Sequence, residues 1–151
     1  MVCSANQCRS PMAEVMFKQL LEEEGVGDWQ VLSAGVWAQP GIAATPTAVM
    51  AMHERGLNLS THLSRPVTAE LLDEIDVALV MENRHKEALI NSFPQFADKI
   101  HLLGEMAGLS QEVDDPVGEP LQRYRETARD IHYYLQEALP HMQAMLADQR
   151  G

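Results

Sequence analysis

Cys3 and Arg9 stand six positions apart in the opening stretch MVCSANQCRSPMAE, and the residues between them are small or polar, apart from Cys8. A loop of that composition can turn successive backbone N–H groups inward. A helix that follows at once adds its own N-terminal amides and the positive end of its dipole. Arg9 contributes a planar fork that matches two oxygens of a tetrahedral oxyanion. Asn6 is one of the few non-glycine types that tolerate positive φ, which a tight nest requires. Ser4, Ala5, Asn6, Gln7, Cys8 and Ser10 are therefore candidate phosphate-binding positions, with Cys3 at the base of the cradle. A positive field favours thiolate over thiol, and a thiolate held against phosphorus is a nucleophile. C-x5-R alone is weak, and a buried strand cysteine is the plain alternative for Cys3.

Elements that would hold this loop alternate along the chain. Residues 11–24 read as a helix with Ser10 as its N-cap, Pro11 at its first position and Gly25 at its end. Residues 29–33 read as a strand. Thr45-Pro46 repeats the cap-then-proline signal and opens a helix that runs to Gly56. Residues 75–81 form a strongly apolar strand of the kind buried on both faces, 83–92 a helix and 99–103 a fourth strand. From Pro120 onward, Leu121, Tyr124, Ala128, Ile131, Leu135, Ala138 and Met142 recur at three- and four-residue spacing, one apolar stripe that Pro140 should kink or interrupt. Strands alternating with helices predict one α/β domain over residues 1–151: a parallel four-stranded sheet with helices on both faces and the phosphate-binding loop after the first strand. Ligands in such sheets bind beyond the carboxyl ends of the strands, where the Cys3–Arg9 loop would lie.

Bulk properties narrow the function. The net charge of −11 repels nucleic-acid backbones at long range, so no nucleic-acid partner is expected. No apolar run approaches the ~20 residues of a membrane span, and no leader pattern is visible. Two cysteines in one loop are no disulfide framework, which points to a reducing cytoplasm. The six histidines show no ligand spacing, so no metal and no cofactor is expected, and His62 reads as a brace for its loop.

The longer run C-x-x-N-x-C-R-S-P-M-A-E resembles the signature loop of the low-molecular-weight protein tyrosine phosphatases, whose protein-arginine phosphatase branch shares it. Ser33-Ala34-Gly35, the run from Gly56 to Arg65, the strand ending at Met81, and Asp115-Pro116 resemble further segments of that family in order. The resemblance implies a hydrolase of phosphomonoesters on proteins. Cys3 would form a phosphocysteine, Arg9 would clamp the equatorial oxygens, Ser10 would donate to the thiolate, and Asp115 would act as general acid and then base. By local sequence alone Asp114-Asp115-Pro116 is only a turn. Trp37 and Val117 become substrate-cleft candidates, and Cys8 is either a space-filling residue or a thiol that captures an oxidised Cys3 as a disulfide. The expected partner is a phosphorylated protein, and the expected state a monomer or weak dimer.

The chain departs from the family pattern in three places. Only Met1 and Val2 precede Cys3, so either the sequence starts inside a longer protein or the sheet is weakened at its middle. Gln7 replaces an aliphatic residue, and Val117 follows Asp-Pro where tyrosine-specific members usually carry tyrosine. Ala44-Thr45-Pro46 and the loop from Asp115 to Gly118 look like the arginine-phosphatase branch, but Gln7 is bulkier than the residue found there. Phosphotyrosine is the expected substrate, with phosphoarginine the alternative. The thioredoxin-coupled arsenate reductases share the loop but relay oxidation to downstream cysteines; no cysteine follows Cys8, so arsenate reduction stays a lesser alternative that needs an external thiol. A phosphate-binding module without turnover is the non-enzymatic alternative.

Overall fold

Alternating burial builds the centre of the molecule. In β1 (Val2–Cys3), Val2 packs with one apolar cluster and Cys3 with the other. The same alternation recurs in β3 (Ala78–Val80), where Ala78 and Val80 share the face of Val2 and Leu79 shares that of Cys3. With β2 (Ala34–Gly35) and β4 (Ile100–Leu102) these strands form one parallel sheet in the order β2-β1-β3-β4. The structure, a computed structural model, describes residues 1–150.

Helices cover both faces. α1 (Arg9–Glu23), α2 (Pro46–Glu54) and α6 (Leu121–Arg150) pack on the Cys3 side through Met12, Met16, Phe17, Leu20, Met52 and Ile131. α3 (Ala69–Glu74) and α4 (Asn83–Ser92) cover the other face through Leu72 and Leu89. A one-turn helix α5 (Leu103–Met106) follows β4. The chain leaves β1 toward β2 on one side and reaches β3 on the other. The strand order therefore reverses at β1, and the crevice beyond its carboxyl end is where such sheets hold ligands.

Several expectations need correction. Residues 29–33 are not a strand: the ladder with β1 consists of Val2↔Ala34 and Cys3↔Gly35. Only Ala78–Val80 of the 75–81 run pairs, because its partners supply three positions, and Leu103 starts α5 instead of ending β4. Residues 69–74 form a further helix, with no apolar period to announce it, capped where Leu71 N–H donates to Thr68 Oγ1 at 3.1 Å. Ser10 is not the cap of α1. The helix starts at Arg9, and the Ser10 hydroxyl is taken up by Cys3, Asn6 and the Ala34 carbonyl. The Thr45 cap does form, with Ala48 N–H donating to Thr45 Oγ1 at 3.3 Å. Helix α6 continues through Pro140. The proline costs about 3 kcal/mol, but Leu139 and Met142 beside it are buried, and each contributes about 1.5–3 kcal/mol. His141 also ties to Met106 O at 2.7 Å.

Candidate active site

The cradle is shaped by a residue held in an unusual conformation. Asn6 has φ 58°, the only positive value outside glycine among the described residues. Its side chain is fully buried and works in both directions. Oδ1 accepts from Arg65 N–H at 3.0 Å, while Nδ2 donates to Ser10 Oγ at 2.9 Å and Ser33 Oγ at 3.0 Å. His62 Nε2 meets Asn6 O at 2.7 Å, so the brace reaches beyond its own loop to the one between Cys3 and Arg9. Gly35 is required by close approach: a Cβ there would stand 2.7 Å from Ser4 O and 2.8 Å from Asn6 N. The segment that ends β2 thus presses directly on the loop after β1.

Within this frame the N–H groups of Ser4, Ala5, Gln7 and Cys8 donate to no backbone carbonyl among the described residues. The Gln7 carbonyl accepts from Thr45 N–H at 2.9 Å, which anchors the loop's far side to α2. Cys3 Sγ lies 3.0 Å from Ser10 Oγ, at the first turn of α1. A hydroxyl carried on the first turn of a helix therefore stands beside the sulfur, an arrangement that stabilises an anion.

Arg9 is 1% exposed. Nη1 is fully engaged, donating to Glu82 Oε2 at 2.6 Å and Val113 O at 2.8 Å. Nη2 stands 3.4 Å from Ser4 Oγ and 3.5 Å from Asp115 Oδ2. Nε is buried with no partner among the described residues. A buried charged donor left unpaired is costly, so this edge of the guanidinium is shaped for an external acceptor. Burial pushes Glu82 upward, but the hydrogen bonds from Arg84 and Arg9 more than offset this and hold its carboxyl below the usual range.

Asp115 comes from the loop before α6. Its Oδ1 accepts from Val117 N–H at 3.1 Å and lies 3.8 Å from Cys8 Sγ. The turn falls slightly later than local sequence suggests, with Glu119 N–H donating to Pro116 O at 2.9 Å, and Asp115 ahead of it lies beside Cys8 and Arg9. Burial pushes the Cys8 thiol up to about 12, with Cys3 and Asp115 adding to the effect. Cys8 is thus a protonated thiol, which is a slow attacker of an oxidised sulfur. Trp37 and Val117 are 55% and 58% exposed. The Trp37 amide donates to Ser4 O at 2.9 Å, and the Arg84 guanidinium stacks 5.3 Å from its ring centre.

Glu82, Arg84 and His85 were not among the residues singled out from sequence. The available signal was their position just past the buried third strand, at the carboxyl end of the sheet where ligands collect. A separate cavity of about 340 Å³ lies by the amino ends of β1–β3, lined by Trp29, Val31, Leu71, Ile75 and Leu146 among others, and contains none of the candidate residues. No group of side chains suited to a metal ion occurs among the described residues, and none of their helices is long and apolar enough to cross a membrane.

Comparison with known proteins bears on the same arrangement. The family model described as "Low molecular weight phosphotyrosine protein phosphatase" matches residues 1–150. The chain is 39% identical over 137 residues to a protein-arginine-phosphatase of Bacillus subtilis (strain 168), covering 90% of each. It is 34% identical over 149 residues to the low molecular weight protein-tyrosine-phosphatase Wzb of Escherichia coli (strain K12), covering 98% of this chain and 95% of that one. A low molecular weight protein tyrosine phosphatase structure from T. tengcongensis superposes with TM-score 0.87 at 37% identity, covering 92% of this chain and 95% of the other.

Proposed function

Because the chain belongs to the low molecular weight phosphotyrosine protein phosphatase family, we propose that it hydrolyses phosphorylated protein side chains through a phosphocysteine on Cys3. In the first step the Cys3 thiolate attacks phosphorus, the bond to the leaving oxygen breaks, and that oxygen takes a proton from Asp115. In the second, water attacks phosphorus and gives a proton to the Asp115 carboxylate, and the Cys3–phosphorus bond breaks to restore the thiolate. Arg9 and the loop amides hold the three equatorial oxygens through both steps. Ser10 stabilises the sulfur as nucleophile and as leaving group.

The observation that carries this reading is the unpartnered Nε of buried Arg9, on the same guanidinium whose Nη2 faces Asp115. Glu82 and the Val113 carbonyl occupy the remaining nitrogen, so Nε and Nη2 are left as the phosphate-binding fork. A half-exposed Arg84 stacked on Trp37 beside Ser4 supports phosphotyrosine over phosphoarginine. An aryl ring carries no charge to conflict with that cation, whereas a substrate guanidinium does. Val117 in the Asp-Pro loop and the similarity to the Bacillus subtilis protein favour phosphoarginine as the second reading.

An aryl phosphate assay tests the chemistry. Cys3→Ser is expected to abolish turnover, and Asp115→Ala to slow it about 100-fold or more. Turnover by Cys3→Ser would remove the nucleophile assignment. Inactivity of the wild type would favour a binding module. Rates on phosphotyrosine and phosphoarginine peptides compared side by side decide the substrate.

A further inference from the structure

Three groups converge on the Ser4 hydroxyl. His85 Nε2 lies 2.8 Å from Ser4 Oγ, Arg84 Nη2 donates to it at 2.9 Å, and Arg9 Nη2 stands at 3.4 Å. The direction of the His85 contact follows from the other ring nitrogen. Glu82 opens α4 with a reciprocal cap: its side chain accepts from the His85 backbone N–H, and its own N–H donates to His85 Nδ1 at 3.1 Å. Nδ1 is therefore an acceptor, and a neutral ring must carry its hydrogen on Nε2. Burial first, and the Arg9 charge next, push His85 down to about 4, so the ring is neutral under ordinary conditions.

A serine oxygen offers two lone pairs and one hydrogen. The short bonds from His85 and Arg84 fill the lone pairs. The hydroxyl's own hydrogen has no acceptor among the described residues. Ser4 directly follows Cys3, and its oxygen lies within reach of the Arg9 nitrogen that faces Asp115.

We propose that His85 and Arg84 turn the Ser4 hydroxyl into a directed hydrogen-bond donor to a phosphoryl oxygen of the substrate. Ser4 binds that oxygen through its side chain as well as its amide, and His85 is a positioning residue that acts through Ser4. This inference deepens the phosphatase reading and rests on it. It gives the cradle a side-chain donor that the loop amides and Arg9 do not provide. It also gives the buried histidine a use beyond capping α4.

Two measurements on the intact protein test it: KM and kcat on an aryl phosphate, and the rise in melting temperature with added inorganic phosphate, which needs no turnover. Ser4→Ala is expected to raise KM and weaken phosphate binding about tenfold, the scale of one hydrogen bond to a charged group, with a smaller change in kcat. Ser4→Thr keeps the hydroxyl and should stay within about threefold of wild type. His85→Gln keeps a donor at the Nε2 position and should stay close to wild type. His85→Leu should reproduce Ser4→Ala. Unchanged phosphate affinity in Ser4→Ala would overturn the proposal, as would a loss in Ser4→Thr equal to that in Ser4→Ala. If Cys3→Ser turned over while Ser4→Ala still lost phosphate affinity, the phosphocysteine reading would fail and the Ser4 assignment would stand.

Discussion

At the scale of single residues, the site depends on side chains that serve backbone shape before they serve chemistry. Asn6 makes no contact that needs a substrate, yet it fixes where the loop amides point. Its φ of 58° lies where a β-carbon is strained, and its amide side chain ties the loop to Ser10, Ser33 and Arg65. Two substitutions separate these contributions. Asn6→Gly keeps the conformation and loses the side-chain bonds, whereas Asn6→Ala loses both. Asn6→Ala is expected to be less stable than Asn6→Gly by about 1 kcal/mol, read from urea midpoints. Equal midpoints would mean that the backbone does not hold positive φ there. Arg9 shows the same division of labour, with one nitrogen spent on Glu82 and Val113 so that the rest of the fork is fixed in place.

At the scale of elements, short strands and long helices share the load unequally. The sheet ladders are one to three residue pairs deep, so the strands contribute few hydrogen bonds. Much of the burial comes from α1, α2 and α6 against the Cys3 face. α6 illustrates the balance, because packing on both sides of Pro140 outweighs the local defect. Pro140 is exposed, so its ring contributes little to the core. Replacing it with alanine restores a backbone donor and should raise stability by about 1–3 kcal/mol, seen as a melting temperature higher by several degrees. An unchanged or lower melting point would show that the ring itself packs usefully. The short helix α4 matters for another reason: its reciprocal cap orients the His85 ring, so an element boundary sets a tautomer inside the site.

At the scale of the whole molecule, a net charge of −11 surrounds the site proposed to hold an anion. Arg9 and Arg84 are balanced by Glu82 and Asp115, so the local field depends on uncharged donors as much as on cations. The buried imidazole also makes global stability depend on pH. The unfolded ring binds a proton near 6.5, and the folded one near 4. Between these values the unfolded chain holds more protons, so this contribution is complete above 6.5 and falls away as pH drops toward 4. Glu14 and Glu82 are both held below 4.5, Glu14 because bonds from Lys18 and Ser33 outweigh its burial, so their contributions fall away only at more acid pH. Urea midpoints for the wild type should therefore drop between pH 7 and 5, while His85→Gln should be flatter over that range. A wild-type midpoint unchanged between pH 7 and 5 would contradict a buried neutral ring.

The sequence by itself made the cradle legible, because it lies in a continuous stretch where spacing along the chain is spacing in space, and the family resemblance, because several such short stretches follow in order. Cys3, Asn6, Arg9 and Ser10 could be read together because a loop and the first turn of a helix hold them within a few residues. The same holds for the Thr45 cap and the stripe of α6, whose periods follow from local geometry. Tertiary structure alone decided that Glu82 and the Val113 carbonyl fix Arg9, that Gly35 presses against the cradle, and that His85 and Arg84 meet at Ser4. These pairs stand tens of residues apart along the chain. Only the sheet order β2-β1-β3-β4, which sets β2 and β3 on either side of β1, brings their loops to one end. It also limited the strands to the positions where partners exist, which no apolar run can reveal.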